Sequence, residues 1–549
     1  MLSLTILIAA CSPAAAIERT PTQIDIATLE SAAPYNPTNT APPTLVETPT
    51  AIAAYIVRIH PDDGLYVGDL VSIEIEGLND TENSRIEIQI DPPDGPTFGA
   101  QPFVPTGLVG ESLATFFWVW DTSNLEPGQH TIQFQILDNG PQWQQTVTLY
   151  RQDELPPQAL ETVWESQSSQ CCTLYYLTNT ASEREIMALM AEIDAQAENV
   201  ALILSYAFDQ PTTIILMPRV IGHGGFATQD IYISYLDRNY AGSSLSQVLH
   251  HEFVHIVDRQ LGGEFRPTIL TEGYAVYHSG GHFKKEALIP RAAALLELDW
   301  YIPLTILANN FYTQQHEIGY LEAGALIEFM IAEWGETAFE EFYRDMQPPG
   351  ERSHTSSINQ ALRAHFDLTL VELNALFYTH LRNHPVDPLL RSDVENTIGF
   401  YDTVRRYQMV LDTSAYYLDA WFLSIDEMLE GDITSDYYRH PESPENITVE
   451  VMLVSAFEHL LNEEYGKSEA LIATINTSLG HIENGNSNPF SEHPLSRKYF
   501  QVVMLLLESG YSPQQISFDL DAANALVLNK KLELIKQALV FENAEWLFE

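Results

Sequence analysis

The chain has 549 residues, enough for three or four domains, and 45% of them are hydrophobic, so most of it can fold around a core. Only 26 Lys and Arg stand against 75 Asp and Glu, a formal net charge of −49. That balance argues against nucleic acid, whose phosphates need cations, and against charge-driven binding to anionic membranes; it reads as a solvated acidic surface.

The elements follow in chain order. Residues 1–11 are an apolar run ending in Ile8-Ala9-Ala10-Cys11. This resembles a bacterial lipoprotein signal without its basic n-region, with Cys11 as the lipidated residue. An ordinary cleaved signal is the alternative, and both imply an exported protein. No other stretch is long and apolar enough to span a bilayer, so the lipid on Cys11 would be the membrane attachment. Residues 12–52, rich in Thr, Pro and Ala, read as a disordered tether. Residues 53–152 alternate polar and apolar side chains in runs such as 71–76, 85–90 and 131–136, separated by Pro-, Asn- and Gly-containing turns. This predicts a β-sandwich, similar to bacterial Ig-like modules, with Trp118 and Trp120 on one side.

Residues 153–390 carry the chemistry. Strands are predicted at 172–177 and 212–217, and a long helix at 183–204. A second helix holds His251-Glu252-Phe253-Val254-His255, an H-E-x-x-H sequence, with Ser244 and Gln247 as a capping box and Gly262-Gly263 as a stop. Positions i and i+4 share a helix face, so His251 and His255 can hold one Zn²⁺, with Glu252 beside it. His250 points about 100° away. Glu272, in Thr271-Glu272-Gly273-Tyr274-Ala275-Val276-Tyr277, supplies a third ligand. Two His and one Glu leave a position for water, the set of a catalytic rather than a structural zinc. A zinc-held His usually passes its other N–H to an acceptor. Asp258, three residues after His255, is either that acceptor or a solvated helix-end charge.

The pair HEFVH…TEGYAVY resembles the gluzincin metallopeptidases, specifically the peptidase MA-like domain family. The resemblance implies an α+β zincin-like fold, one zinc on His251, His255 and Glu272, and peptide-bond hydrolysis with Glu252 as general base. It places Gly224, Gly225, Phe226 and Ala227 on an edge strand that binds substrate by β-augmentation. Tyr320 would donate to the developing oxyanion. The aminopeptidase branch carries a G-x-M-E-N motif whose Glu grips the substrate amino terminus; here the first acidic residue is Asp230. An endopeptidase is therefore favoured over a strict aminopeptidase.

Residues 391–549 show helical patterns at 451–461 and 499–507, read as an α-helical C-terminal domain without a catalytic cluster. His380, His384, His440 and His459 lack ligand spacing. Adjacent Cys171 and Cys172 cannot cross-link distant segments; an intermolecular bond or free thiols are the alternatives. Two functions follow: an exported, lipid-anchored zinc metallopeptidase acting on peptides or proteins, or an inactive cell-surface binding protein that keeps the peptidase fold.

Overall fold

The period-two alternation after residue 53 pairs into two facing sheets. The computed structural model describes the chain from Tyr55 to Glu549, apart from residues 78–83, 106–111, 207, 209, 221–223, 350–352, 418–424 and 543–544. The signal with Cys11 and the 12–52 tether lie outside the described residues. The strands are β1 (Tyr55–His60), β2 (Leu65–Tyr66), β3 (Leu70–Gly77), β4 (Arg85–Ile90) and β5 (Thr97–Pro102), then β6 (Val104–Pro105), β7 (Ser112–Asp121), β8 (Gly128–Ile136) and β9 (Gln142–Tyr150). One sheet runs β1-β3-β7-β6 and the other β2-β9-β8-β4-β5. Val71, Ile73, Phe116 and Trp120 from the first meet Ile86, Ile88, Ile132 and Phe134 from the second in one buried cluster. This is a two-sheet sandwich.

Trp118 corrects the expected pairing of the two tryptophans. Against β3, Phe116 pairs with Ile73 but Trp120 with Val71, so extra residues bulge between them. Trp118 sits in that bulge at φ 45°. Its side chain leaves the sandwich, and its indole N–H donates to Asp436 Oδ2 at 2.6 Å.

The next unit is a sheet with helices. After α1 (Pro157–Glu161) come β10 (Trp164–Ser168), β11 (Cys172–Leu177), α2 (Ala181–Ile203), β12 (Thr212–Met217), β13 (Gly225–Ala227) and β14 (Ile231–Ser234). The strand order is β10-β11-β12-β14-β13, with β11, β12 and β14 parallel and the two edges antiparallel. Cys171 and Cys172, at the head of β11, are disulfide-bonded to each other, so the intermolecular and free-thiol alternatives do not describe this structure. Helices α3 (Leu245–Gln260), α4 (Thr268–Ser279), α5 (Leu288–Glu297), α6 (Leu304–Asn310) and α7 (His316–Trp334) follow, then α8 (Glu336–Arg344), α9 (His354–Phe366) and α10 (Leu370–Arg382).

Glycines set the distance between α4 and α7. A Cβ on Gly273 would lie 2.5 Å from the carbonyl oxygen of Ala323, and one on Gly324 would lie 2.4 Å from Val276. The helices thus cross at backbone contact, which explains a glycine directly after Glu272. Gly273→Ala raises intrinsic helix propensity by about 1 kcal/mol yet is expected to destabilise the protein by about 1–3 kcal/mol through overpacking, measured by denaturant unfolding.

The C-terminal part departs from the expected all-helical domain. It contains α11 (Pro388–Leu411), α12 (Thr413–Tyr417), α13 (Ile425–Glu430), α14 (Ser435–Tyr438), α15 (Pro444–Leu461), α16 (Tyr465–Glu483) and α17 (Pro494–Glu508). An antiparallel sheet of β15 (Ser512–Asp519), β16 (Ala522–Leu528), β17 (Leu534–Glu542) and β18 (Glu545–Phe548) then ends the chain. Along β16 the side chains of Ala523, Ala525 and Val527 are buried in alternation, a period of two rather than 3.6. Helix α11 also runs through the expected boundary at 390/391 and packs against α5 and α7 on one side and α15 and α16 on the other.

A buried polar junction joins the sandwich to the later units. Arg219 pairs with Asp412 at 2.8 Å and Arg439 with Asp69 at 2.9 Å. Asp436 takes the Trp118 bond on one oxygen, and its Oδ1 has no partner among the described residues. Burial pushes its carboxyl up to about 7. The folded state therefore holds this proton where the unfolded chain releases it, and stability falls as pH rises between about 4 and 7. Asp436→Asn is expected to be neutral below pH 4 and to raise Tm increasingly up to pH 7, with the gain constant above; thermal melts across pH check this.

Candidate metal centre

Helix α3 forms where its apolar face requires it: Leu249, Phe253 and Val257 are fully buried, and Gly262 and Gly263, both at positive φ, end it. The expected capping box is absent. Ser244 makes no side-chain cap bond. The Gln247 amide instead donates to the carbonyls of Ser279 and Gly281 at 2.8 and 2.6 Å, tying α3 to the end of α4. His250 turns toward α2 and meets Gln196 at 3.0 Å, as its helical angle requires.

The structure brings His251, His255 and Glu272 together. The two Nε2 atoms are 3.0 Å apart, and Glu272 Oε2 lies 3.3 Å from His251 Nε2 and 3.2 Å from His255 Nε2. Ligands about 2.0–2.2 Å from a tetrahedral zinc are roughly 3.3–3.6 Å from one another. The three atoms are thus close to the edge lengths of a zinc tetrahedron, needing shifts of a few tenths of an ångström. They form a group of metal-ligating type, and all three residues are buried.

Two buried polar atoms at the centre are unsatisfied among the described residues: Glu252 Oε2 and His251 Nδ1. An unpaired buried carboxylate oxygen costs stability unless something occupies the site. Both the donor set and this orphan fit a zinc with a water beside Glu252. Sequence spacing did not supply the groups that hold the third ligand. Tyr312 O–H donates to Glu272 Oε1 at 2.7 Å, leaving Oε2 for the imidazoles. Tyr312 lies in the loop between α6 and α7, where no periodicity signals it.

Tyr320 lies within the buried surroundings of the centre, its ring centroid 6.1 Å from that of His251. It is stacked between His282 and His316, with centroids 4.0 and 4.3 Å away. His282 Nδ1 meets Glu317 Oε1 at 2.9 Å. These neighbours were missed as well. The His316-Glu317 pair opening a largely apolar helix was the available signal.

Asp258 does not approach either imidazole within hydrogen-bonding distance. It accepts from Tyr343 O–H at 2.9 Å and pairs with Arg344 at 2.5 Å and Arg266 at 3.3 Å. It is neither the ring acceptor nor a solvated charge, but the buried hub anchoring α3 to α8. Gly225, Phe226 and Ala227 form the edge strand β13, which packs against α3, and Gly224 precedes it at φ +123°.

The groups polarise one another. Burial pushes the Glu252 carboxyl up to about 7 and pushes the His251 imidazole down to about 4. Burial also opposes charge on His255, but the Glu272 carboxylate overrides it and lifts that ring to about 9. Burial would raise Glu272, yet His255 and His251 hold it well below the usual carboxylate range. For Tyr320, burial and then Glu272 push the phenol well above its ordinary value, so it remains an O–H donor.

No protein-family model matches the chain, and no curated protein does. Among solved structures, an M1 zinc metallopeptidase from Deinococcus radiodurans aligns with a TM-score of 0.26 and 11% identity, covering 61% of this chain and 94% of that one. A point mutant of an M1 zinc metallopeptidase from the same organism gives 0.26 and 11%, covering 61% and 92%. A two-domain M1 zinc metallopeptidase mutant bound to L-tryptophan gives 0.24 and 10%, covering 61% and 94%. Likeness this slight carries no argument, and the centre stands on its own geometry.

Removing the tyrosine that orients Glu272 tests the arrangement. Tyr312→Phe is expected to weaken zinc binding about 10–100-fold, and His255→Ala or Glu272→Ala to weaken it further. Competition with a chromophoric chelator, with circular dichroism as the folding control, measures this.

Proposed function

We propose that this chain is a zinc-dependent metallopeptidase that hydrolyses peptide bonds. The observation that supports it most is the convergence of His251, His255 and Glu272 on one point while Glu252 Oε2 stays buried and unpaired. His251, His255 and Glu272 would hold the ion. When bound, it supplies Lewis-acid charge that makes water nucleophilic near neutral pH and polarises a carbonyl.

The chain's own side chains do the rest. Glu252, with a carboxyl lifted to about 7, takes a proton from the attacking water and returns it to the leaving amine. Tyr320, kept protonated by burial, donates to the oxyanion. Tyr312 orients Glu272 through its Oε1. The β13 edge offers main-chain groups to an extended peptide. With no acidic residue at 224–229 to hold a free amino terminus, the proposed activity is that of an endopeptidase of gluzincin type. The same reading takes the protein as exported and tethered to the bacterial membrane through lipid on Cys11, with an Ig-like sandwich as spacer. Among the described residues, no helix is long and apolar enough to cross a membrane.

The test is metal analysis of the purified chain followed by a peptide-library assay. Glu252→Gln is expected to keep zinc and lose about 10²–10⁴-fold in kcat. Chelation is expected to abolish cleavage and added Zn²⁺ to restore it. Zinc bound without Glu252-dependent cleavage of any peptide would overturn the enzyme reading in favour of an inactive binding protein.

A further inference from the structure

The helix that carries the histidines also carries a cation along the same stripe. Arg259 lies one turn beyond His255 and seven residues beyond Glu252, spacings that keep it on their face of α3. Four residues of helix rise about 6 Å, the length of about two residues of extended peptide. Arg259 is exposed, and its guanidinium donates to the main-chain carbonyl of Ala227.

The register of β13 shows what that carbonyl is. Ser234 N–H donates to Gly224 at 2.6 Å, and Thr228 N–H to Asp230 at 2.8 Å. Residues of that parity face β14. Gly225 and Ala227, of the other parity, present their N–H and C=O groups to the free edge of the sheet. Arg259 thus occupies the outward carbonyl that a bound peptide would otherwise use.

No carboxylate among the described residues touches it, although the Glu252 carboxylate acts on its charge through space. Eleven other arginines, Arg219, Arg238 and Arg344 among them, are in ion pairs with carboxylates. Among the described residues Arg259 has none, as is also true of Arg85, Arg363, Arg382 and Arg497, but Arg259 alone of these lies on the histidine helix. An exposed guanidinium with no carboxylate in contact, beside a peptide-accepting edge, can receive one.

We propose that Arg259 sets the substrate class: peptides carrying a carboxylate within about two residues of the bond placed at the centre. That carboxylate draws the guanidinium from Ala227, and the freed carbonyl then pairs with the peptide backbone. The carboxylate is an Asp or Glu side chain or the peptide's own carboxyl terminus, and both present the same fork to arginine.

This rests on the peptidase reading of the site, and the experiment separates the two. Zinc-loaded full-length protein is given matched peptides with Glu, Gln or Lys at each position, with free and amidated carboxyl termini. The expected result is a preference of about tenfold or more for the carboxylate over its amide in kcat/KM at one position. The ratio is expected to fall toward one in Arg259→Gln and to reverse toward Lys in Arg259→Glu. Loss of the preference on amidation assigns it to the carboxyl terminus; persistence assigns it to the side chain. Binding of the same peptides to Glu252→Gln, followed by fluorescence anisotropy, gives a readout independent of turnover. A carboxylate preference in binding that vanishes in the Arg259→Gln, Glu252→Gln double variant supports the inference even if no peptide is cleaved. Glu252-dependent cleavage with equal rates for Glu and Gln peptides, or an acid preference unchanged in Arg259→Gln, overturns it while leaving the peptidase reading intact.

Discussion

The centre depends on backbone contact between α4 and α7. Glu272 reaches the imidazoles of α3 only because the helix carrying it is held by α3 on one side and pressed against α7 on the other. Gly273 and Gly324 make that approach sterically allowed, each removing a Cβ that would collide. The two glutamine-amide bonds from α3 to the end of α4 fix the other neighbour of α4 in place. Rigid helices joined in this way bring the three candidate ligand atoms together, and Tyr312 from the α6–α7 loop then orients Glu272.

The surrounding polar groups are arranged unequally. Glu272 is satisfied on both oxygens, one by Tyr312 and the other by the rings. Glu252, one residue from a ligand, keeps an oxygen buried and unpaired. Two carboxylates that feel each other's charge are therefore pushed in opposite directions: Glu272 toward a permanent anion, Glu252 toward a group that exchanges its proton near neutrality. Such divergence between neighbouring carboxylates is what division of labour between a ligand and a base requires.

Much of this was legible in the residue order. The spacing of His251 and His255 is a helical spacing, and the buried face of α3 confirmed the period that produced it. Strands β11 and β12 begin and end where their apolar runs do. What escaped notice depends on long-range contacts. Tyr312 and His282 sit in connections, where no period marks which side chain turns inward. Asp258 has the helical position of a ring partner, but two arginines and a tyrosine distant in sequence claim it. Trp118 follows the alternation of its strand until a bulge turns it out. The final sheet has short, mixed runs after α17, and their period of two is weaker than the helical signals before them.

The continuity of α11 changes how the C-terminal part should be regarded. Phe283, the residue after His282, packs against Phe400 of α11 and Phe457 of α15, with ring centroids 5.8 and 5.4 Å away. Gly242, in the approach to α3, fits against the same Phe400. The hydrophobic core of the last third thus grips the connections on both flanks of the histidine helix. It behaves as a foundation cast with the floor of the candidate centre, and a fragment cut at residue 390 would sever a helix and leave that floor without its support.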